Sequence, residues 1–121
     1  MEQLRSRGYK LGIITNGSVE AQKAKLLESG LLARVDEALI SEEEQLRKPD
    51  QRIFALAAER LGVTTAECVF VGDNPETDIG GAYNAGMKTV WFKGVLPWPG
   101  TLSIVPGHTV TTLVELLSIE L

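Results

Sequence analysis

Three short stretches of this 121-residue sequence gather side chains able to handle an anion or a hard cation. Thr15, Asn16, Gly17 and Ser18 supply a hydroxyl, an amide and backbone N–H groups. They stand where a helix should begin, and there the helix dipole and unpaired donors favour a cluster of anionic oxygens. Asn-Gly-Ser is equally a turn followed by an N-cap, so the motif alone leaves both readings open. Lys48 belongs to Arg47-Lys48-Pro49-Asp50, where the proline fixes the backbone ahead of a capped helix. A lysine so placed can reach across as a point charge to a phosphate, or simply be solvated. Gly72-Asp73-Asn74-Pro75-Glu76-Thr77-Asp78 is the most informative stretch. Asp73 at a strand tip and Asp78 in the first helical turn can face one cavity with the hard oxygens that Mg²⁺ prefers. Capping accounts for Asn74 and Pro75, and dipole complementarity for Glu76 and Asp78, but Asp73 on an apolar strand is left over.

The elements that must position these groups are legible as alternating patterns. Tyr9 to Ile14, Glu37 to Ile40, Val69 to Val71 and Thr89 to Phe92 are compact apolar runs, as expected of strands covered on both faces. Between the first two, Val19, Leu26 and Leu27 fall near helical spacing, with Ser18 as N-cap and Gly30 as stop. Asp50 caps a second helix whose stripe of Ile53, Phe54, Leu56, Ala57 and Leu61 ends at Gly62. A third is expected from Pro75 to about Ala85, with Gly80, Gly81, Ala82 and Ala85 as a thin face that lets it approach the sheet. Thr64 and Glu67, and again Thr112 and Glu115, have capping-box spacing, the latter ahead of a last helix. Lys93 to Gly107, with three prolines and three glycines, reads as one irregular loop. Such alternation predicts an α/β fold: a three-layer, Rossmann-like parallel sheet with helices on both faces, binding ligands at the carboxyl ends of its strands. The three stretches all follow strands, or lead from one into a helix.

The composition bounds the rest. With 44% hydrophobic and 23% charged residues, residues 1–121 form a single domain that can bury about two-thirds of its surface. Twelve Lys+Arg against sixteen Asp+Glu leave a charge of −4, which argues against duplex nucleic acid as a partner. No apolar run reaches the eighteen residues of a membrane span, and Met1 to Arg7 is no signal peptide, so a cytoplasmic setting without membrane association is expected. Cys68, the single cysteine, reads as a small buried apolar residue and rules out an internal disulfide. His108, the single histidine, reads as an ordinary strand or surface residue, and Glu42, Glu43 and Glu44 as a solvated face.

Taken in order, Ile13-Ile14-Thr15-Asn16-Gly17, then Arg47-Lys48-Pro49-Asp50 with Ile53-Phe54, then Phe70 to Ile79 with Ala82 and Ala85-Gly86-Met87, resemble the haloacid dehalogenase (HAD) superfamily. The nearest likeness is to its small-molecule phosphatases and nucleotidases. The resemblance implies that Thr15 binds the transferring phosphoryl group, that Asn16 and Gly17 support its turn, and that Lys48 neutralises phosphate and nucleophile. It implies Mg²⁺ as cofactor, with Asp73 a direct ligand and Asp78 a direct or water-mediated one. Gln51 stands where the family often has proline.

One departure from the pattern is serious. The family opens with a central strand ending in Asp-x-Asp, whose first aspartate attacks phosphorus and whose second is general acid and base. Here the aspartates are Asp36, Asp50, Asp73 and Asp78, and no two have that spacing. The nucleophile strand and the inserted cap domain that confers selectivity are both outside this sequence. Without the attacking carboxylate little or no turnover is expected of the chain alone, and Mg²⁺ binding is weakened. The resemblance also puts the absent strand between those ending at Thr15 and Gly72, which leaves an incomplete core with two inner edges. The two strands then close up, or a second copy or strand-donating partner fills the place, or the chain is a piece of a longer protein. Two functions compete: the core of a Mg²⁺-dependent phosphohydrolase for a small phosphorylated metabolite, and a non-catalytic binding or oligomerisation module. Trp98 and its loop either border the pocket or pack on the sheet edge.

Overall fold

A computed structural model describes residues 2–112 together with Glu115. After a short helix α1 (Glu2–Ser6), strands and helices alternate: β1 (Gly12–Thr15), α2 (Val19–Ser29), β2 (Glu37–Ile40), a helical turn α3 (Ser41–Glu44) and α4 (Gln51–Leu61). Then come β3 (Val69–Gly72), a wide π-type turn (Pro75–Gly80), α5 (Gly81–Asn84), β4 (Lys88–Phe92) and β5 (His108–Val110). Local chemistry sets most of the boundaries. Ser18 Oγ accepts from Ala21 N–H and Gly30 ends α2 in the left-handed region; Asp50 and Gly62 do the same for α4. The Thr64–Glu67 capping box forms as its spacing predicts.

All strands pair in parallel, but in two separate sheets. β1 pairs with β2, and β3 with β4 and then β5; β1 and β3 are not hydrogen-bonded to each other. The inner strands have not closed up. An unpaired edge leaves β3 uncovered, and each of its residues is half-buried where the apolar run predicts full cover. The two halves are tied through α4. Ile53 and Phe54 are fully buried in a cluster with Ile14, Leu39, Ala57, Ala58, Ala82 and Met87, against which Phe70 of β3 packs. Phe54 meets Phe70 edge-to-face at 5.1 Å. A Cβ on Gly81 would lie 2.7 Å from the Phe54 ring, so α5 approaches α4 only because that position lacks a side chain.

Several expectations shift in detail. The first strand starts at Gly12 and not Tyr9, because Leu11 N–H donates to the Asp36 carboxylate and Leu11 O accepts from Asp36 N–H, before the ladder begins. The third helix is not a uniform α-helix: Asn74 O accepts from both Asp78 and Ile79, which widens its first turn. Its α-helical part is only Gly81–Asn84. The acidic run is exposed at Glu42 and Glu43, as expected of a solvated face, but each of its carboxylates also has a partner. Glu42 Oε1 accepts from Val19 N–H, Glu43 lies 3.7 Å from Lys23 Nζ, and Glu44 takes two hydrogen bonds from Arg60. Cys68 is half-buried and its Sγ–H donates to Thr64 O, so it is more than an apolar filler. His108 opens a short fifth strand. Trp98 packs edge-to-face at 5.0 Å on Trp91 of β4, the middle strand of its sheet and not an edge. Thr111 and Thr112 both donate to Glu115 as the capping spacing predicts, while the last helix lies outside the described residues. No helix among the described residues is long and apolar enough to cross a membrane.

Candidate active site

Thr15 is the last residue of β1, Lys48 leads into α4, and Asp73 and Asp78 follow β3, so the candidates share the carboxyl ends of the strands. A continuous set of hydrogen bonds joins three of them. Asn16 Nδ2–H donates to Lys48 O at 3.1 Å and its Oδ1 accepts from Lys48 N–H at 3.0 Å. This two-point clamp holds the main chain of Lys48 from the end of β1. Lys48 Nζ donates to Asp78 Oδ1 at 2.6 Å, with the two side chains only 13% and 7% exposed. The ammonium also lies 5.7 Å from the centre of the Phe70 ring. Asp78 Oδ2 accepts from Asn74 N–H, which closes the acidic turn onto itself. The pair therefore bridges the two sheets across the unpaired edges.

Gly72 makes this possible. A Cβ there would sit 2.4 Å from the Asp78 Cβ, so a side chain at that strand tip excludes the buried carboxylate. Asn74 Oδ1 accepts from Glu76 and Thr77 N–H, and the Asp73 carbonyl accepts from Trp91 Nε1–H at 3.0 Å. Among the described residues no hydrogen bond or ion pair reaches the Asp73 carboxylate, which is exposed. The turn is thus fixed at its backbone and free at its tip.

The Thr15 hydroxyl donates to Gln22 Oε1 at 3.0 Å. The N–H groups expected to be free for an anion at the start of α2 are partly taken: Gly17 N–H donates to Ser41 Oγ, Val19 N–H to Glu42, and Ala21 N–H to Ser18. Anion binding there would rely on side chains more than on the helix end. A cavity of about 440 Å³ adjoins the cluster, lined among others by Asn16, Ser41, Glu42, Gln45 and Arg47; of the five sequence candidates only Asn16 reaches it. Gln22 and Trp91 carry no signal in the sequence, because each touches the site only through the fold.

Two aspartates make at most a partial cation site. Among the described residues no three His, Cys, Asp or Glu side chains gather as ligands. Both Asp78 oxygens already accept, from Lys48 Nζ and Asn74 N–H, so the exposed Asp73 carboxylate is the one open to a cation. That set is compatible with Mg²⁺, which takes one or two carboxylates and fills its remaining positions with water and phosphate oxygens, with Asp78 acting through water or on release from Lys48.

Comparison with known proteins gives the family and the fold. Residues 1–86 match the haloacid dehalogenase-like hydrolase family. The glyceraldehyde 3-phosphate phosphatase of Methanopyrus kandleri is 48% identical over 91 residues, covering 75% of this chain and 39% of the relative. The phosphoserine phosphatase of Thermus thermophilus is 40% identical over 98 residues, covering 80% and 39%. The crystal structure of a HAD phosphatase from Thermococcus onnurineus superimposes with a TM-score of 0.87 at 37% identity, over 97% of this chain and 53% of that one. The chain spans about two-fifths of the length of these sequence relatives. The superposition takes in 97% of this chain, both half-sheets together, and about half of the larger one. The chain belongs to the haloacid dehalogenase-like hydrolase family.

Proposed function

We propose that this chain is the core portion of a Mg²⁺-dependent phosphohydrolase that cleaves a small phosphorylated metabolite in the cytoplasm, and that it is inactive without a further strand. The observation that carries the reading is the clamped, nearly buried Lys48–Asp78 pair at the strand ends of a chain whose relatives are phosphatases. Lys48 holds a positive charge where phosphoryl oxygens would gather, and Asn16 sets its position through the backbone. Thr15 offers a hydroxyl to one such oxygen. Asp73 and Asp78 are the residues of this chain that would hold Mg²⁺, Asp73 directly and Asp78 directly or through water. When bound, the cation supplies neutralisation of phosphoryl charge.

None of the four aspartates lies in Asp-x-Asp, so the attacking carboxylate must come on another strand. The unpaired edges of β1 and β3 are where such a strand, from further chain, a second copy or a separate partner, would pair. The test is hydrolysis of a panel of phosphomonoesters with MgCl₂, by the 121-residue chain alone and after addition of a strand segment carrying Asp-x-Asp. No turnover alone, turnover with the segment, and its loss in Asp73→Ala are expected. Assembly into a stable oligomer that neither binds phosphate nor gains activity would favour the non-catalytic module instead.

A further inference from the structure

The Thr15 hydroxyl has one proton, and in this structure that proton is directed to Gln22 Oε1, 3.0 Å away. A hydroxyl has a single donor and two acceptor lone pairs, so while it donates to the amide it can only accept from elsewhere. A phosphomonoester is mostly the dianion above about pH 7, and its phosphoryl oxygens then carry no proton to offer. The two arrangements compete for the same hydrogen.

The carboxamide can resolve the competition, because it presents an acceptor on one side and a donor on the other in nearly the same volume. A half-turn about its terminal bond puts Nε2–H against Thr15 Oγ1. The hydroxyl then accepts from Gln22 and is released to donate into the strand-end hollow. The Gln22 side chain lies on Gly17, where a Cβ would approach Nε2 to 2.4 Å, so only a residue without a side chain leaves room for it there. Gly17 is itself pinned, its N–H donating to Ser41 Oγ and its carbonyl accepting from Ser41 Oγ–H and Glu42 N–H. Its φ of 146°, in the region that favours glycine, keeps this platform open.

We propose that Gln22 is a positioning residue that turns the Thr15 hydroxyl between a resting bond to its own amide and donation to a bound phosphoryl oxygen. The proposal rests on the phosphate-binding role given to Thr15 above.

The experiment titrates the isotope-labelled 121-residue chain with a phosphomonoester, glycerol 2-phosphate, at pH 7.5 and follows the backbone signals of Thr15 and Lys48 and the side-chain amide of Gln22 by NMR. All three are expected to shift together. Gln22→Met keeps the contact with Gly17 but offers no hydrogen bond, and should weaken phosphate about tenfold. Gln22→Glu, ionised at pH 7, can only accept and should weaken phosphate further. Below about pH 4.3 its carboxyl is protonated and can donate, so its deficit against wild type at the same pH should shrink. A packing role would not produce that pH-dependent ratio. Equal phosphate affinity in wild type and both variants overturns the proposal, as do shifts at Thr15 and Lys48 that leave the Gln22 amide unmoved. Absence of any phosphate-induced shift at Thr15 and Lys48 overturns the phosphohydrolase reading itself.

Discussion

Replacing Asp78 by asparagine removes one charge from the bridge between the two sheets and changes almost nothing in shape. The asparagine carbonyl can still accept from Asn74 N–H, but Lys48 Nζ is left without its carboxylate at 2.6 Å. Breaking a buried ion pair on one side costs about 3–5 kcal/mol, because the remaining charge stays desolvated. The lower end applies here, since 13% of the Lys48 side chain can still reach water. An unfolding entropy of about 2.1 cal/mol/K per residue gives about 0.25 kcal/mol/K for a chain of this length. The expected loss of about 3 kcal/mol is then a fall in Tm of about 12 °C. Urea and thermal unfolding of Asp78→Asn, Lys48→Met and the double variant form a thermodynamic cycle. The double variant should be clearly more stable than the sum of the two losses predicts, with a coupling of about 1–3 kcal/mol. If Asp78→Asn unfolds within about 1 kcal/mol of wild type and the losses simply add, the pair is not the buried bridge described above and Lys48 is free to swing into solvent.

Other predictions follow from the same contacts. Asn16→Ala removes both arms of the clamp on Lys48 and should cost about 2 kcal/mol in urea unfolding, with phosphate binding weakened as the lysine main chain loosens. Gly72→Ala drives a methyl group into Asp78 and should destabilise by about 1–3 kcal/mol, whereas Gly94→Ala, with open space around it, should be nearly neutral. The Arg52 side chain and backbone N–H hold the Asp50 carboxyl down at about 2. A carboxyl lowered on folding contributes stability above its unfolded pKa of about 4, and that contribution is lost as pH falls through about 2. Urea midpoints of wild type and Asp50→Asn measured from pH 5 to pH 2 should therefore converge at the acid end.

Removing the indole donor tests a different part of the turn. Trp91→Phe frees the Asp73 carbonyl while keeping most of the ring packing, so the Asp73 and Asn74 amides should exchange faster with solvent while the global unfolding midpoint falls only slightly.

The unpaired sheet edges bear on every one of these measurements. A parallel strand normally has neighbours on both sides, and β1 and β3 each lack one. What holds them in register is α4, through Phe54 against Phe70 and the Lys48–Asp78 bridge. A strand that filled the place would add backbone hydrogen bonds along both edges, and the destabilised variants should then recover most.

What the sequence determined by itself is whatever is settled within a few residues. Ser18, Asp50, Gly30 and Gly62 punctuate their helices, and Thr64 closes on Glu67, because each partner lies within one turn and no distant group competes. The order of the three motifs was likewise legible, and with it the family. Tertiary structure alone decided that Asn16 would clamp Lys48 across 32 residues, that Lys48 would find Asp78 across 30, and that Glu42 would occupy a helix N–H group, that of Val19, expected to be free. It alone divided the sheet, because the pattern of an apolar strand records its preference for neighbours and not whether they are present.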